Sequence, residues 1–369
     1  MFPKSVYVLL VANSARMLAQ AARLAGFKPV VIDIYGDQDT AQFAEAMQQT
    51  ASLSANDLGN ALDKMCGYPI NFAVFGSGFE NELDGLERLA SRFIVLGNHS
   101  ELTNFLQNKP AFFSLLSDLK IPYPDASFQK PDSYANWLIK PMKGQGGTGI
   151  RRYRCDEDVS DQIYWQKYQQ GIPHSVLFLA NGERSQIVGF NKQWMTRLND
   201  KDEFIFSGII NATALTNEQK IEIKGWLDSL VAELSLKGLN SMDFIQSGRN
   251  CYVLEINPRP SASMQLYDDD LFVRHIKACD GELYALKQNT AEITGFQVVY
   301  ATQDLIIPAG FQWPEGVQDL PRENTRISVG RPICSMIMHA QDPETVVELL
   351  QKQQEFIINA LDRLQTHGL

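Results

Sequence analysis

The chain has 369 residues, 44% of them hydrophobic and 21% charged, with a formal net charge of −10 and a pI near 5.1. That length exceeds one ordinary core and points to two or three domains. The acidic balance excludes broad binding to nucleic acid or to an anionic membrane surface, so any phosphate site has to be a local basic pocket. The five cysteines, at 66, 155, 251, 279 and 334, are odd in number and form no CxxC pair, as expected of buried thiols in a reducing compartment. No stretch reaches the length of a membrane span, and Met1-Phe2-Pro3-Lys4-Ser5 leads into a strand-like run rather than a signal peptide, so a cytoplasmic protein is expected.

Residues 6–12 are a continuous apolar run, 14–25 have helical periodicity ended by Gly26, and 29–34 are a second apolar run ending near Asp33. This is a strand–helix–strand unit of an α/β domain. Asn13 or Ser14 is placed to cap the helix, and the turn before it is where a parallel sheet binds small ligands. The dinucleotide fingerprint is absent there, so no nicotinamide site is read. Residues 71–75 and 93–96 read as two more buried strands, followed by Gly76-Ser77-Gly78-Phe79-Glu80 and Gly97-Asn98. The first of these loops either holds a substrate's polar end at a helix N-terminus or is a plain strand-to-helix turn. A helix over 100–119 is interrupted at Lys109-Pro110, after which Ile121-Pro122-Tyr123-Pro124 forces an extended exit. The first domain is therefore bounded at 1–98.

A strand over 137–140 leads into Pro141-Met142-Lys143-Gly144-Gln145-Gly146-Gly147-Thr148-Gly149-Ile150. A dinucleotide site would need a helix after these glycines, whereas Ile150-Arg151-Arg152-Tyr153-Arg154 is polar and strand-like. A glycine-rich hairpin folded over phosphates, with Lys140 and Lys143 supplying charge, fits better, and a mobile surface hairpin is the alternative. Downstream, Ile163-Tyr164-Trp165-Gln166-Lys167-Tyr168 and Gln169-Gln170-Gly171-Ile172-Pro173-His174 read as a strand and an extended linker, which can offer its backbone to the edge of an adenine. His174 alone reads as a satisfied structural histidine.

The densest motif is Glu255-Ile256-Asn257-Pro258-Arg259, with Asp243 twelve residues upstream on what reads as the partner strand of one hairpin. In a strand Glu255, Asn257 and Arg259 share a face while Leu254 and Ile256 point into a core. Magnesium takes hard oxygen ligands, usually one or two protein carboxylates completed by substrate phosphates, and an Arg beside it meets developing negative charge. Placing Asp243 opposite Glu255 requires a three-residue loop at Gly248-Arg249-Asn250; a two-residue loop shifts the pairing by one and sends Asp243 to the other face.

In this order the elements resemble the ATP-grasp superfamily, over most of the chain. They are the N-terminal strand–helix–strand unit, Asn108-Lys109 with Ile121-Pro122-Tyr123-Pro124, Lys140-Pro141 with the glycine loop, Gln166-Lys167-Tyr168, and Asp243 with Glu255-Ile256-Asn257-Pro258-Arg259. Within it the chain looks most like the carboxylate–amine ligases and carboligases related to biotin carboxylase. The resemblance implies an α/β and α+β chain of ATP-grasp architecture: an N-terminal parallel α/β domain, a two-lobed ATP-grasp domain at 99–295, and a strand-rich extension at 296–369 ending in a helix. It implies that Lys109 and Lys140 contact ATP phosphates under Gly146, Gly147 and Thr148. Gln166, Lys167 and Tyr168 would frame the adenine, with His174 near the nucleotide. Asp243, Glu255 and Asn257 would hold one or two Mg2+ (or Mn2+) ions and Arg259 the reacting oxyanion, with Arg259 and Lys140 as the catalytic pair. Small-molecule acid and amine substrates would meet Gly76, Ser77, Gly78 and Glu80 on one side and Ser261 and Ser263 on the other.

The chain departs from the family in two places. The linker normally carries an acidic residue at or near Gln166, Gln169 or Gln170, and Asp243 stands where a Glu is more usual. The implied activity is ADP-forming ligation of a carboxylate to an amine through an acylphosphate, in cofactor biosynthesis such as that of one-carbon cofactors (methanopterin or methanofuran type). The alternatives are a carboxylase of the biotin-carboxylase type and a non-catalytic nucleotide-binding protein. The extension, with a helix starting at Asp342-Pro343-Glu344, is expected to complete a core, or else to serve substrate choice or a homodimer contact.

Overall fold

The first apolar run becomes β1 (Tyr7–Ala12), in which Val8 to Val11 are fully buried, as a parallel strand covered on both faces must be. The computed structural model describes residues 6–133, 135–154, 162–267, 270–286 and 292–367; Met1 to Ser5 and Cys155 lie outside them. After β1 come α1 (Arg16–Leu24), β2 (Lys28–Asp33), α2 (Gln38–Phe43), β3 (Ala46–Gln49), α3 (Ala55–Lys64), β4 (Ile70–Phe75) and α4 (Leu83–Ala90). The sheet order is β3-β2-β1-β4, all parallel. The expected strand at 93–96 is reduced to one bridge, Ala73 to Val95. Neither Asn13 nor Ser14 caps α1: Ala15 occupies the cap, its N–H reaching Asp33 Oδ2 at 3.5 Å, and the Ser14 hydroxyl turns away to Asp319.

The helix expected over 100–119 is two helices, α5 (Ser100–Gln107) and α6 (Lys109–Asp118). Asn108 ends one and caps the other, its Oδ1 accepting from Ala111 N, and Pro110 sits in the first turn where its missing N–H costs nothing. A small antiparallel sheet follows, built from β5 (Ala126–Ser127), β6 (Trp137–Pro141), β7 (Arg151–Arg152) and β8 (Ile163–Lys167) in the order β5-β8-β6-β7. The chain then forms β9 (Ile172–Asn181), β10 (Ser185–Thr196), β11 (Ile205–Ile210), α7 (Asn217–Leu234), β12 (Lys237–Ser247), β13 (Asn250–Asn257) and α8 (Leu271–Cys279). Thr216 and Gln219 close a capping box at the start of α7.

The C-terminal part contributes β14 (Ile293–Tyr300), β15 (Leu305–Ile306), β16 (Val317–Gln318), β17 (Arg326–Ile327), β18 (Pro332–Ala340) and α9 (Pro343–His367). It continues the large sheet, whose order is β13-β12-β9-β10-β11-β14-β18-β16. The boundary expected at 295/296 thus falls inside β14, a strand paired on one side with β11 and on the other with β18. On α9 the side chains Val346, Leu350, Ile357 and Leu361 are fully buried in a cluster with Val299 and Met336. Among the described residues no helix is long and apolar enough to cross a membrane.

The N-terminal sheet is fastened to the large one by apolar and polar contacts. Phe27 meets Phe272 edge-on at 5.4 Å, and one core cluster spans β1, α1, α8 and the middle of the large sheet. His275 accepts from Leu239 N at Nδ1 and meets Leu96 O through Nε2. Asn98 donates to Lys237 O, Asn240 Oδ1 and Pro258 O while accepting from Lys237 N.

Candidate active site

The small antiparallel sheet, the large sheet and the loops after β1, β2 and β4 line a cavity of about 590 Å³. One wall is the β12–β13 hairpin. Its loop is Gly248-Arg249, with Gly248 at φ +61° and Ser247 paired with Asn250, so the expected three-residue loop does not form. The pairing nevertheless brings Asp243 opposite Glu255, because a bulge between Asp243 and Phe244 leaves Leu254 as the extra residue and restores the register. For the same reason Leu254 faces the cavity instead of the core, while Ile256 is buried.

Asp243, Glu255, Asn257 and Arg259 all line the cavity. Asp243 accepts from Gln193 Nε2 at 3.1 Å and from Asn257 Nδ2 at 3.3 Å. Burial, then the neighbouring charge of Glu255, pushes its carboxyl up to about 7, and the two acids share a hydrogen bond. Across from them, burial lowers Lys109, the first residue of α6, and lowers Lys140 to about 8, against the pull of Glu255 on both. Lys140 Nζ donates to Gln166 Oε1 at 3.1 Å, and Gln166, 1% exposed, donates to Pro124 O. The amide in the linker therefore orients the lysine without neutralising it. Two half-buried carboxylates facing each other with the Asn257 amide beside them make a hard-oxygen set, which fits magnesium. Among the described residues no group of three or more His, Cys, Asp or Glu is placed to hold a metal ion, so such an ion needs oxygens from its substrate as well.

The glycine loop closes the cavity as a turn between β6 and β7, which pair Leu138 with Arg152 and Ile139 with Arg151. It is docked on residues 202–206: Phe206 N donates to Gly146 O, Glu203 N to Ile150 O, and Gly149 N to Asp202 Oδ1. Gly147 has φ +82°, and a Cβ there would lie 1.9 Å from Phe204 O, so the approach needs glycine twice over. Gly146, Gly147 and Thr148 line the cavity, as do Gln166, Lys167 and Tyr168. The N–H groups of Lys167 and Tyr168 are already taken by Asp125 O and Asn136 O. Arg152 stacks over the Tyr168 ring at 4.3 Å, and Lys167 over Trp137 at 4.3 Å.

His174 agrees with its plain reading as a structural histidine and corrects the place near the nucleotide that the resemblance implied. Its neighbours Pro173 and Ser175 line the cavity, so strand alternation turns the imidazole to the opposite face. There it is 1% exposed, bonded through Nδ1 to Ile172 O and stacked on Phe244, and burial lowers its pKa. It is a structural histidine.

Of the first-domain loop, Ser77 reaches the cavity, whereas Gly76, Gly78 and Glu80 do not. Gly76 packs on Ala12 and Leu18, and Gly78 on Asn13 and Leu53. Glu80 lies behind Arg259 and pairs with it at 2.6 Å. Ser261 and Ser263 line the cavity and bond each other. Beyond them the cavity is lined by Asn13 and Ser14, at the turn where the sequence suggested a ligand site, and by Tyr35, Tyr300 and Arg331, which sequence reasoning did not single out. They come from four separate segments with no motif in common. Only the position of Asn13 and Ser14 at the carboxyl end of a parallel strand signals a ligand site.

Residues 106–263 match the sequence model of the ATP-grasp domain, and the chain carries that domain. An uncharacterized protein of Methanocaldococcus jannaschii is 21% identical over 257 residues, which cover 66% of this chain and 63% of that protein, so the match spans less than two thirds of its length. The biotin carboxylase–β-γ-ATP complex from Campylobacter jejuni superposes with a TM-score of 0.71 at 14% identity, over 96% of this chain and 95% of that one. The L-amino acid ligase from Bacillus licheniformis superposes with a TM-score of 0.69 at 11% identity, over 96% and 98%. These likenesses define the whole chain's fold as the ATP-grasp arrangement: a parallel α/β domain joined to a large antiparallel sheet.

Proposed function

We propose that the protein is an ADP-forming carboxylate–amine ligase. The observation that carries this reading is the convergence, beneath one docked glycine loop, of two lysines, two facing carboxylates, an amide and an arginine. Lys109 and Lys140 would hold ATP phosphates beneath Gly146, Gly147 and Thr148. Gln166, Lys167 and Tyr168 would frame the adenine. Asp243, Glu255 and Asn257 would hold one or two magnesium ions, whose chemistry is to neutralise charge on the transferring phosphoryl group.

A carboxylate substrate attacks the γ-phosphorus of ATP, the bond to ADP breaks, and an acylphosphate forms. An amine then attacks the acyl carbon, phosphate leaves, and the amine's proton passes to solvent or to a cavity base. Arg259 stabilises the oxyanion in that second step. Ser77, Ser261, Ser263 and Arg331 stand where the acid and the amine would be oriented. The glycine loop's docking on residues 202–206 supports the reading further, because a labile acylphosphate has to be kept from water.

The test is ADP release and hydroxamate formation with magnesium, ATP, hydroxylamine and a panel of carboxylic acids that includes glutamate. The expected result is a hydroxamate with one acid of the panel, abolished in Glu255→Gln. Bicarbonate-dependent ADP release without any hydroxamate would replace the ligase with a carboxylase. Absence of nucleotide binding by calorimetry would remove the site assignment itself.

A further inference from the structure

We infer that Glu80, in the N-terminal domain, is a positioning residue that aims the Arg259 guanidinium at the reacting group. For what Arg259 does, the inference rests on the ligase reading; for what Glu80 does, it rests on geometry alone.

Glu80 Oε1 accepts from Arg259 Nε at 2.7 Å and from Nη2 at 2.6 Å, while Oε2 accepts from Gly78 N at 2.7 Å. The carboxylate is thus held by the backbone of its own loop before it grips the arginine. The two side chains are 8% and 12% exposed, so the attraction is little screened by water. A guanidinium has five donors in a rigid planar fork, and Glu80 occupies the Nε edge. What remains is two long contacts of 3.4 Å, from Nη1 to Pro260 O and from Nη2 to Asn257 Oδ1. The far edge therefore turns to the cavity beside Asn257 with donors to spare. Arg259 lines the cavity and Glu80 does not, so Glu80 acts through Arg259. A purely structural tie between the domains is already supplied by Asn98 and His275, which cross the same junction without entering the site.

The experiment compares the native chain with Glu80→Gln and Glu80→Ala, each also in an Arg259→Lys background, using acid-dependent hydroxamate formation. Glu80→Ala is expected to lower kcat about 10²-fold, the size of loss that follows a misplaced catalytic group. KM for ATP is expected to stay unchanged while Tm falls, because Ala leaves a largely buried guanidinium without its partner, and Glu80→Gln, which keeps an acceptor oxygen, is expected to fall between. In the Arg259→Lys background the Glu80 substitutions should cost nothing more, since they act through a group already altered. A full kcat in Glu80→Ala, or an equal loss in both backgrounds, would overturn the proposal.

A second readout does not depend on turnover: the 15N-labelled Arg259 Nε–H resonance, assigned by its loss in Arg259→Lys. Slow exchange with water is expected in the native chain, its loss in Glu80→Ala and a quicker exchange in Glu80→Gln, whose neutral oxygen is the weaker acceptor. Persistence in both variants would overturn the clamp. Should the native chain make no hydroxamate, the ligase reading fails while this signal still decides the role of Glu80.

Discussion

Lys140 is the residue at which burial and function meet most directly. Its pKa is lowered to about 8 because burial disfavours the ammonium and the nearest hydrogen-bond partner, Gln166, carries no charge. A lysine lowered to that value is protonated below pH 8 and neutral above it, so nucleotide affinity should decline as pH rises past 8, binding there being coupled to proton uptake. Gln166→Glu puts a carboxylate at the same 3.1 Å contact, raises the lysine and moves the decline to higher pH; calorimetric titrations at several pH values check both. The neighbouring Asp243 is perturbed in the opposite direction, by burial and then by the charge of Glu255, which Gln193 and Arg259 offset only in part. Divalent cation should therefore be bound with release of a proton below pH 7.

Among the elements, the glycine loop and α6 depend most on single residues. Gly147→Ala adds a Cβ against Phe204 O and a side chain at positive φ, so the loop must lift from residues 202–206. The expected outcome is faster proteolytic cleavage within 143–149 and a KM for ATP raised roughly tenfold, a loss of about 1.4 kcal/mol, with a small change in Tm. Asn108→Ala removes the cap from the helix whose first residue is Lys109. It should cost about 1 kcal/mol of stability, read by urea titration, and weaken nucleotide binding with it. The β12–β13 hairpin shows how an element can reach an expected result by another route. Alternation alone cannot foresee a bulge, because the extra residue, Leu254, is apolar like the core residues around it.

At the scale of the whole molecule, the N-terminal domain meets the C-terminal strands through a cluster of acids around one buried arginine. Arg16, 1% exposed, bonds Asp319, which also accepts from Ser14 and Ser335, and Asp39 accepts the N–H groups of Asp319 and Leu320. One guanidinium does not satisfy all the carboxylates. Asp319 is held below the usual range, with Arg16 its main lowering partner, whereas burial pushes Asp33 up to about 6 and Asp37 up to about 8. An acid raised in the folded state binds more protons there than in the unfolded chain, so stability is fullest below about pH 4 for these two groups and falls as pH rises towards 8. Across that window Asp37→Asn should flatten the decline of Tm with pH, which scanning calorimetry from pH 5 to 8 measures. An unchanged slope would assign it to other groups.

How much of this was legible in the chain depends on how local each cause is. Apolar runs buried on both faces gave the parallel strands, and Asn108-Lys109-Pro110 marked the cap and start of a helix, because these causes act within a few residues. Glu255 and Asn257 could be placed on one face because they alternate along β13, whereas Arg259 lies two residues past the end of that strand and reaches the same cavity from there. His174 could not be placed, since the face on which it falls is set by the packing of β9 between its neighbours β10 and β12. Nor could the roles of Glu80, Gln193, Tyr35 and Arg331. The sequence by itself determined the types of element, their order and the charged groups available for chemistry, since propensity and periodicity are local properties. The tertiary structure alone decided which of those groups share a cavity, which arginine is clamped and where the C-terminal strands join the large sheet, since these depend on contacts between residues up to some 300 positions apart.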